Sequence, residues 1–219
     1  MASMIREGLL LVDKPKGKTS FSLVSVLRKK TGIQKIGHAG TLDPFATGVM
    51  VMLIGKKFTR LSDQFLCQEK EYWCRVHLGI STDSYDCDGA IKATSDHQPT
   101  LQDIEVALTG FQGSLFQTPP MFSAKKVQGE KLYELARKGI EIERKPTSVT
   151  IQTTLLFYLY PYLELQIVCS KGTYVRSIAH DLGIKLGCGG HLIELKRIRS
   201  GTFHLKDCIN GRLLYDHCP

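Results

Sequence analysis

The sequence has no uninterrupted apolar run of 18 residues or more, which a membrane-spanning helix needs. Residues 1–17, MASMIREGLLLVDKPKG, also lack the long apolar segment and the small-residue cleavage site of a secretory signal peptide. We therefore expect a soluble protein that is not exported and does not enter a membrane.

The seven cysteines are odd in number and never form a C-x-x-C pair. This spacing excludes the usual zinc motifs and argues against a disulfide framework, so we expect reduced thiols in the core and a reducing cytoplasm. The seven histidines show no metal-ligand spacing either. We expect no metal.

The common nucleotide and hydrolase signatures are missing as well. There is no G-x-x-x-x-G-K-[ST], no strand-linked G-x-G-x-x-G, no H-E-x-x-H and no G-x-S-x-G. The sequence therefore lacks the usual motifs for binding nucleoside triphosphates or dinucleotides and for zinc-dependent hydrolysis. We expect no cofactor.

Positive charge is present in excess and is unevenly distributed, with a net charge of +8. Residues 1–60 carry 11 Lys/Arg against 3 Asp/Glu, residues 61–110 carry 3 against 9, and residues 111–219 carry 15 against 9. Clustered basic residues favour a polyanionic partner, because neutralised phosphates release counterions. A merely solvated basic surface is the open alternative.

The hydrophobic pattern intermixes strands and helices without a steady βαβ alternation. VMVMLIG, EYWCRVHLG and LELQIVCSKG are typical of strands, whereas TSFSLVSVLRKKTG is typical of a helix, with Ser20 as its N-cap and Gly32 after its end. No repeat or linker divides the chain. We expect one α+β domain over residues 1–219, with a mixed, mostly antiparallel central sheet flanked by helices.

One carboxylate stands in a loop-like segment that has little other chemistry. Asp43 lies in GHAGTLDPFATG, where Pro44 disfavours helical geometry for the Asp and three glycines make the backbone permissive. Such loops often carry function. The alternative is a turn or capping residue with Pro44 at the first helical position.

The segment GHAGTLDPFATGVMVMLIGKKFTRL resembles the catalytic motif of the TruB family of tRNA pseudouridine synthases. Further segments resemble the same family in order, and together they cover roughly residues 8–203: GLLLVDKPKGKTSFSLV, KEYWCRVHLGISTDSYDCDG, QTPPMFSAKKVQGEKLYELARKG and CSKGTYVRSIAHDLG. The resemblance implies the pseudouridine synthase fold and isomerisation of a uridine in the T loop of tRNA, conventionally position 55, without cofactor or metal.

In this family the carboxylate that we place at Asp43 acts on a flipped uridine, by attacking the sugar or base or by assisting elimination; the sequence leaves this choice open. By resemblance, Tyr72 lies against the flipped uracil and is the favoured candidate for taking the C5 proton. Arg176 would pair with the Asp43 carboxylate and orient it. Without the resemblance, Tyr72 could equally be a core aromatic and Arg176 an exposed helix residue.

Three further residues are assigned to substrate binding by the same resemblance. His38 would enter the RNA stack beside the extruded base, Leu195 would line the uracil pocket, and Lys14 belongs to the family's Lys-Pro turn. A core leucine is the plain alternative for Leu195. In LKRIRSG, Lys196 and Ile198 stand where the family tends to have Arg and Thr.

The chain stops soon after SGTFHLKDC, whereas many members of the family continue into a small C-terminal RNA-binding domain. We expect a catalytic domain with little or nothing appended, acting as a monomer on the T arm of tRNA. Two alternatives stay open: a tRNA-binding folding chaperone, and a pseudouridine synthase that acts on another RNA.

Overall fold

The computed structural model describes residues 7–123, 125–127 and 129–216. The chain divides into two compact units, of which unit 1 comprises Met1–Trp73 and Leu195–Pro219 and unit 2 comprises Cys74–Glu194. Compactness is not a test of independent folding, so the expectation of a single domain over residues 1–219 stays a prediction. No helix of the described part is long and apolar enough to cross a membrane.

Unit 1 combines a sheet with short helices. Its elements are β1 (Gly8–Lys14), α1 (Ser20–Thr31), β2 (Ile36–His38), β3 (Thr47–Ile54), α2 (Lys56–Thr59), α3 (Ser62–Leu66), the start of β4 (Lys70–Leu78), the end of β12 (Gly190–Ser200), β13 (Phe203–His204) and β14 (Ile209–Asn210). The strand order is β14-β1-β3-β12, with β2 paired to β3 and β13 paired to β12. Two short 3-10 turns follow β13 and β14.

The helix α1 begins one residue earlier than its predicted cap implies. Thr19, not Ser20, is the N-cap, because the Thr19 side chain accepts a hydrogen bond from the backbone N–H of Ser22. The helix ends at Gly32 as expected, where a φ of +73° suits glycine. Ser20 is buried and its hydroxyl serves the neighbouring loop instead.

The strand β3 forms the centre of unit 1. From Gly48 to its last residue it is buried throughout, and alternate residues on one face (Val49, Val51 and Leu53) pack together with Ala39. Its run of apolar residues is explained by β1 on one side and β2 and β12 on the other, which cover it. The segment that carries Asp43 enters this strand directly.

Unit 2 is built from antiparallel ribbons and helices. Its elements are the end of β4, β5 (Ile80–Thr82), β6 (Ile91–Thr94), α4 (Leu101–Leu108), a 3-10 turn (Thr109–Phe111), β7 (Gly113–Gln117), β8 (Lys126–Val127), β9 (Glu130–Lys131), α5 (Leu132–Arg137), β10 (Thr147–Leu159), β11 (Tyr162–Cys169), α6 (Val175–Lys185) and the start of β12. Within this unit the strand order is β4-β11-β10-β7, and β5 with β6 and β8 with β9 form separate pairs.

The pairing directions confirm the predicted fold class. The strands β1 and β3, β2 and β3, β10 and β11, and β10 and β7 are antiparallel. Two pairs, β1 with β14 and β3 with β12, are parallel. The protein is therefore α+β, with a mixed and mostly antiparallel sheet and helices packed beside it.

The cysteines follow the expected burial only in part. Cys74, Cys169 and Cys188 are buried, as predicted for core thiols, whereas Cys67 and Cys87 are exposed. Cys67 follows the end of α3, and Cys87 lies in the loop between β5 and β6.

Candidate active site

The Asp43 side chain is half-buried on a loop that is anchored on both sides by apolar residues. Leu42 and Phe45 are each 4% exposed, and the backbone N–H of Ala46 donates to the carbonyl of Asp43 over 3.1 Å. Because the flanking side chains are buried, the loop backbone is fixed while the carboxylate between them remains accessible. This is the setting that a reacting carboxylate needs.

Ser20 fixes the loop from the helix side. Its hydroxyl donates to the carbonyl of Leu42 over 3.0 Å and accepts from the N–H of Leu42 over 2.9 Å. Both backbone groups of the residue before Asp43 are thus satisfied by one buried hydroxyl. The sequence pattern placed Ser20 at a helix cap and gave no signal for this contact, since the two residues are 22 positions apart.

Lys14 lies beneath the same loop and is fully buried. Its ammonium donates to the carbonyls of Lys18, Pro15 and Pro44 over 2.6, 3.0 and 3.2 Å. Burial lowers the pKa of Lys14 to about 8, against the opposing effect of the Asp43 carboxylate. The structure therefore brings Lys14 together with Asp43, and its predicted role in substrate binding stays a prediction.

Arg197 was not identified from the sequence, yet it is the largest fully buried side chain of the described residues. Its Nε donates to the carbonyl of Val49 over 2.6 Å, and its Nη2 donates to the carbonyl of Gly40 over 3.1 Å. Nη2 also lies 3.6 Å from the sulfur of Met50. Arg197 therefore contacts the chain on both sides of Asp43.

His38 ends β2, just before the Asp43 loop. Burial, and to a lesser extent the positive charge of Arg197, lower the pKa of His38 below its usual value, so the imidazole is neutral at pH 7. Its Nδ1 is buried and has no hydrogen-bond partner among the residues that the structure describes. The predicted insertion of His38 into an RNA stack stays a prediction, and a neutral ring suits it.

Tyr72 and Leu195 are also placed in unit 1. Tyr72 lies on the buried face of β4, where residues alternate strictly between buried and half-buried, and is 8% exposed. Leu195 is 7% exposed and shares the buried face of β12 with Arg197. Their predicted contacts with uracil stay predictions.

Arg176 belongs to unit 2 and lies in the first turn of α6. It is 4% exposed, so the alternative of an exposed helix residue is wrong. Its Nη1 donates to the Asp86 carboxylate over 3.1 Å and to the carbonyl of Ser84 over 3.0 Å, and its Nη2 donates to the carbonyl of Phe122 over 2.8 Å. The predicted pairing of Arg176 with the Asp43 carboxylate stays a prediction.

Asp86 is a second residue that sequence reasoning missed. It is 4% exposed, and its Oδ1 accepts from the hydroxyl of Ser84 over 2.5 Å while its Oδ2 accepts from Arg176. The two buried charges thus neutralise each other within unit 2, and the carboxylate keeps the guanidinium in one orientation. The sequence signal was the second Asp of TDSYDCDG, which was attributed to the family motif without a role.

Groups of three or more His, Cys, Asp or Glu side chains that could hold a metal ion do not occur in the part of the chain that the structure describes. The charges of Asp43, Arg197 and Asp13 all act on the pKa of Lys14, so these three groups lie within electrostatic range of its ammonium. Asp13 accepts from the N–H of Gly48 over 3.0 Å and so joins β1 to the start of β3. The half-buried Asp43 carboxylate thus lies on a loop whose backbone carbonyls accept hydrogen bonds from two buried cations, Lys14 and Arg197.

Comparisons with known proteins agree with the motifs. Residues 28–175 match the family profile described as TruB family pseudouridylate synthase (N terminal domain). Residues 176–218 match the profile described as tRNA pseudouridylate synthase B C-terminal domain. The second match lies within the range that the sequence assigned to a single domain, and the expectation about an appended domain stays a prediction.

Individual relatives extend the similarity over nearly the whole chain. A tRNA pseudouridine synthase B from Protochlamydia amoebophila (strain UWE25) is 64% identical over 205 residues, which are 94% of this chain and 78% of the relative. The enzyme of that name from Chlamydia abortus (strain DSM 27085 / S26/3) is 58% identical over 219 residues, or 100% of this chain and 92% of the relative.

A solved structure described as a Cbf5-Nop10-Gar1 complex contains a chain that is 28% identical and superposes with a TM-score of 0.69. The match covers 90% of this chain and 50% of that chain, so the present chain spans about half the length of the solved relative. With the family profile matching more than half of its residues and relatives above 55% identity along its length, the chain belongs to the TruB family of pseudouridylate synthases.

Proposed function

We propose that this protein isomerises uridine to pseudouridine in tRNA, at the T-loop position conventionally numbered 55, with Asp43 as the reacting carboxylate. The observation that carries the proposal is the placement of Asp43: an accessible carboxylate on a loop whose backbone is held by Ser20, Lys14 and Arg197. The names of the relatives from Protochlamydia and Chlamydia support tRNA as the substrate.

The reaction needs one carboxylate and no redox partner. The N1–C1′ bond of the uridine breaks, the uracil turns, C5 joins C1′, the C5 proton leaves and N1 is protonated. A carboxylate can attack the sugar or the base, or assist elimination at the ribose, and in each route it must begin ionised. The buried ammonium of Lys14, within electrostatic range of Asp43, favours that ionised form.

The target base must leave the RNA stack before the carboxylate can reach it. We assign His38, neutral and next to the Asp43 loop, to the place that the base vacates. Tyr72 and Leu195 would contact the flipped uracil, and Tyr72 would take the C5 proton. Each of these side chains belongs to the same unit as Asp43, which supports the assignment.

Arg176 is assigned to orient the Asp43 carboxylate near the target phosphate. In unit 2 the Asp86 carboxylate and two backbone carbonyls hold its guanidinium, so its orientation is set before substrate binds. A planar group with five donors can serve Asp86 and a second anion together.

The test follows tritium release from C5-tritiated tRNA transcripts. Wild-type protein should release tritium, and Asp43→Asn should lower the rate by about 1,000-fold or more, because the amide cannot act as a nucleophile or carry the negative charge. Asp63→Asn is the matched control, since Asp63 is an exposed carboxylate of the same unit. In a second transcript the T-loop uridine is replaced by cytidine while the other uridines keep their C5 tritium. The wild-type protein should release no tritium from this transcript.

Measurements of tRNA binding and folding distinguish a protein that mainly isomerises uridine from one that mainly assists tRNA folding. Asp43→Asn should bind tRNA within about threefold of the wild-type Kd, since the amide keeps the shape of the side chain. Tritium release by Asp43→Asn within about tenfold of wild type would remove Asp43 from the mechanism. Absence of release by the wild type, together with accelerated tRNA folding, would favour the chaperone alternative.

A further inference from the structure

Arg197 carries a charge for which the described structure offers no ion-pair partner. It is 1% exposed, and its hydrogen bonds end on two backbone carbonyls and a thioether. Among the described residues no carboxylate forms an ion pair with it. Burying a guanidinium without a paired anion lowers the stability of the fold. A neutral hydrogen-bond donor could hold the same carbonyls without that cost, so folding alone does not explain why an arginine stands at this position.

The next arginine on the same strand shows the contrast. Arg199 is partly exposed, and its guanidinium is paired with Glu69 over 2.7 Å and with Glu71 over 2.9 Å. These are ordinary surface ion pairs that satisfy the charge where it is hydrated. The two arginines therefore differ in environment, although they share a strand and are two residues apart.

The donors of Arg197 are directed at both ends of the segment that carries Asp43. Nη2 bonds to Gly40, three residues before Asp43, and Nε bonds to Val49, six residues after it. A Cβ atom on Gly40 would lie 3.3 Å from Nη1 of Arg197, so the loop approaches the guanidinium closely. One rigid, planar group thus fixes the distance between the entry and the exit of the loop.

The charge of Arg197 also reaches the neighbouring ionisable groups. It contributes to lowering the pKa values of both His38 and Lys14, so its positive charge acts on the two groups that flank the loop.

We propose that Arg197 is a positioning residue for Asp43: its guanidinium joins the two ends of the Asp43 loop and supplies a fixed positive charge there. This inference rests on the proposed function, because it concerns the rate of the same reaction. It assigns to Arg197 an effect on the chemical step, with little effect on tRNA affinity. In Arg197→Lys the charge is kept, but one ammonium cannot reach the carbonyls of both Gly40 and Val49. In Arg197→Gln a hydrogen-bond donor is kept and the charge is lost.

The experiment compares Arg197→Lys and Arg197→Gln with Arg199→Lys and Arg199→Gln in the full-length chain. The single-turnover rate of tritium release at saturating protein, the tRNA Kd and the midpoint of thermal unfolding are measured for each. We expect Arg197→Lys to lose about 10-fold to 100-fold in rate and Arg197→Gln about tenfold more, with Kd within about threefold of wild type. The Arg199 variants should retain the rate within about twofold.

Several outcomes would overturn the inference. Single-turnover rates of both Arg197 variants within about threefold of wild type would show that the reaction needs neither the two guanidinium hydrogen bonds nor the positive charge. If Arg197→Lys and Arg197→Gln lose the same fraction of the rate, and that fraction equals the unfolded fraction, the role of Arg197 is purely structural. Failure of both variants to fold would show the same. Failure of the wild type to release tritium would instead count against the proposed function, since no rate would exist for Arg197 to affect.

Discussion

Replacing Gly48 by alanine should destabilise the protein strongly, because β12 approaches this residue at backbone distance. A Cβ atom on Gly48 would lie 2.2 Å from the carbonyl oxygen of Arg197 and 2.6 Å from its nitrogen. The parallel register pairs Arg197 with Gly48, and Asp13 accepts from the N–H of Gly48, so neither strand can withdraw without losing hydrogen bonds. In addition, the φ of Gly48 is +104°, a backbone conformation that residues other than glycine rarely adopt.

The magnitude follows from two contributions. A left-handed conformation costs an L-residue about 1–2 kcal/mol, and insertion of a methyl group into a packed interior costs about 1–3 kcal/mol. Together they predict a loss of about 2–5 kcal/mol, a large part of the roughly 5–15 kcal/mol by which a typical domain is stable.

Gly32→Ala is the matched control. Gly32 has a φ of +73°, but nothing lies within 4 Å of the position that its Cβ would take, so only the conformational cost applies. Urea denaturation followed by circular dichroism should place the Gly48→Ala midpoint about 1 M below that of Gly32→Ala. If the two variants agree within about 0.5 kcal/mol, the close approach of β12 does not constrain the loop and the reasoning fails.

Three further predictions concern single side chains. Tyr72→Phe should bind tRNA within about threefold of wild type but release little tritium, since the ring is kept and the hydroxyl is lost; normal turnover would make Tyr72 a stacking platform only. Because burial lowers the pKa of Lys14 from 10.5 to about 8, the unfolded chain binds more protons between these values. The stability of wild type relative to Lys14→Met should therefore rise by about 3 kcal/mol between pH 8 and 10.5, and equal differences in urea titrations at the two pH values would contradict this. Asp86→Asn should cost about 3–5 kcal/mol by leaving the buried Arg176 charge uncompensated, whereas the exposed Asp88→Asn should change the urea midpoint little.

The sequence by itself determined the fold class and predicted Asp43 as the reacting residue of the site. Alternation along β4 and the glycine that follows α1 are local patterns, because side-chain periodicity and backbone φ preferences act over a few positions. The same is true of the loop around Asp43, where Pro44 and the glycines shape the backbone. The resemblance of the motifs then pointed to the family, and the comparisons established it.

Only the tertiary structure decided how that loop is held. Arg197 bonds to Val49 and Gly40 across 148 and 157 positions, and Arg176 bonds to Asp86 across 90. Arg176 lies off the apolar face that periodicity gives its helix, and an exposed residue was the alternative for that reason. No local pattern specifies which carbonyl or carboxylate a distant guanidinium will meet, because that contact exists only after strands far apart in sequence have paired. Asp43 could therefore be predicted from the sequence as the reacting carboxylate, whereas the contacts of the buried charges depended on the fold.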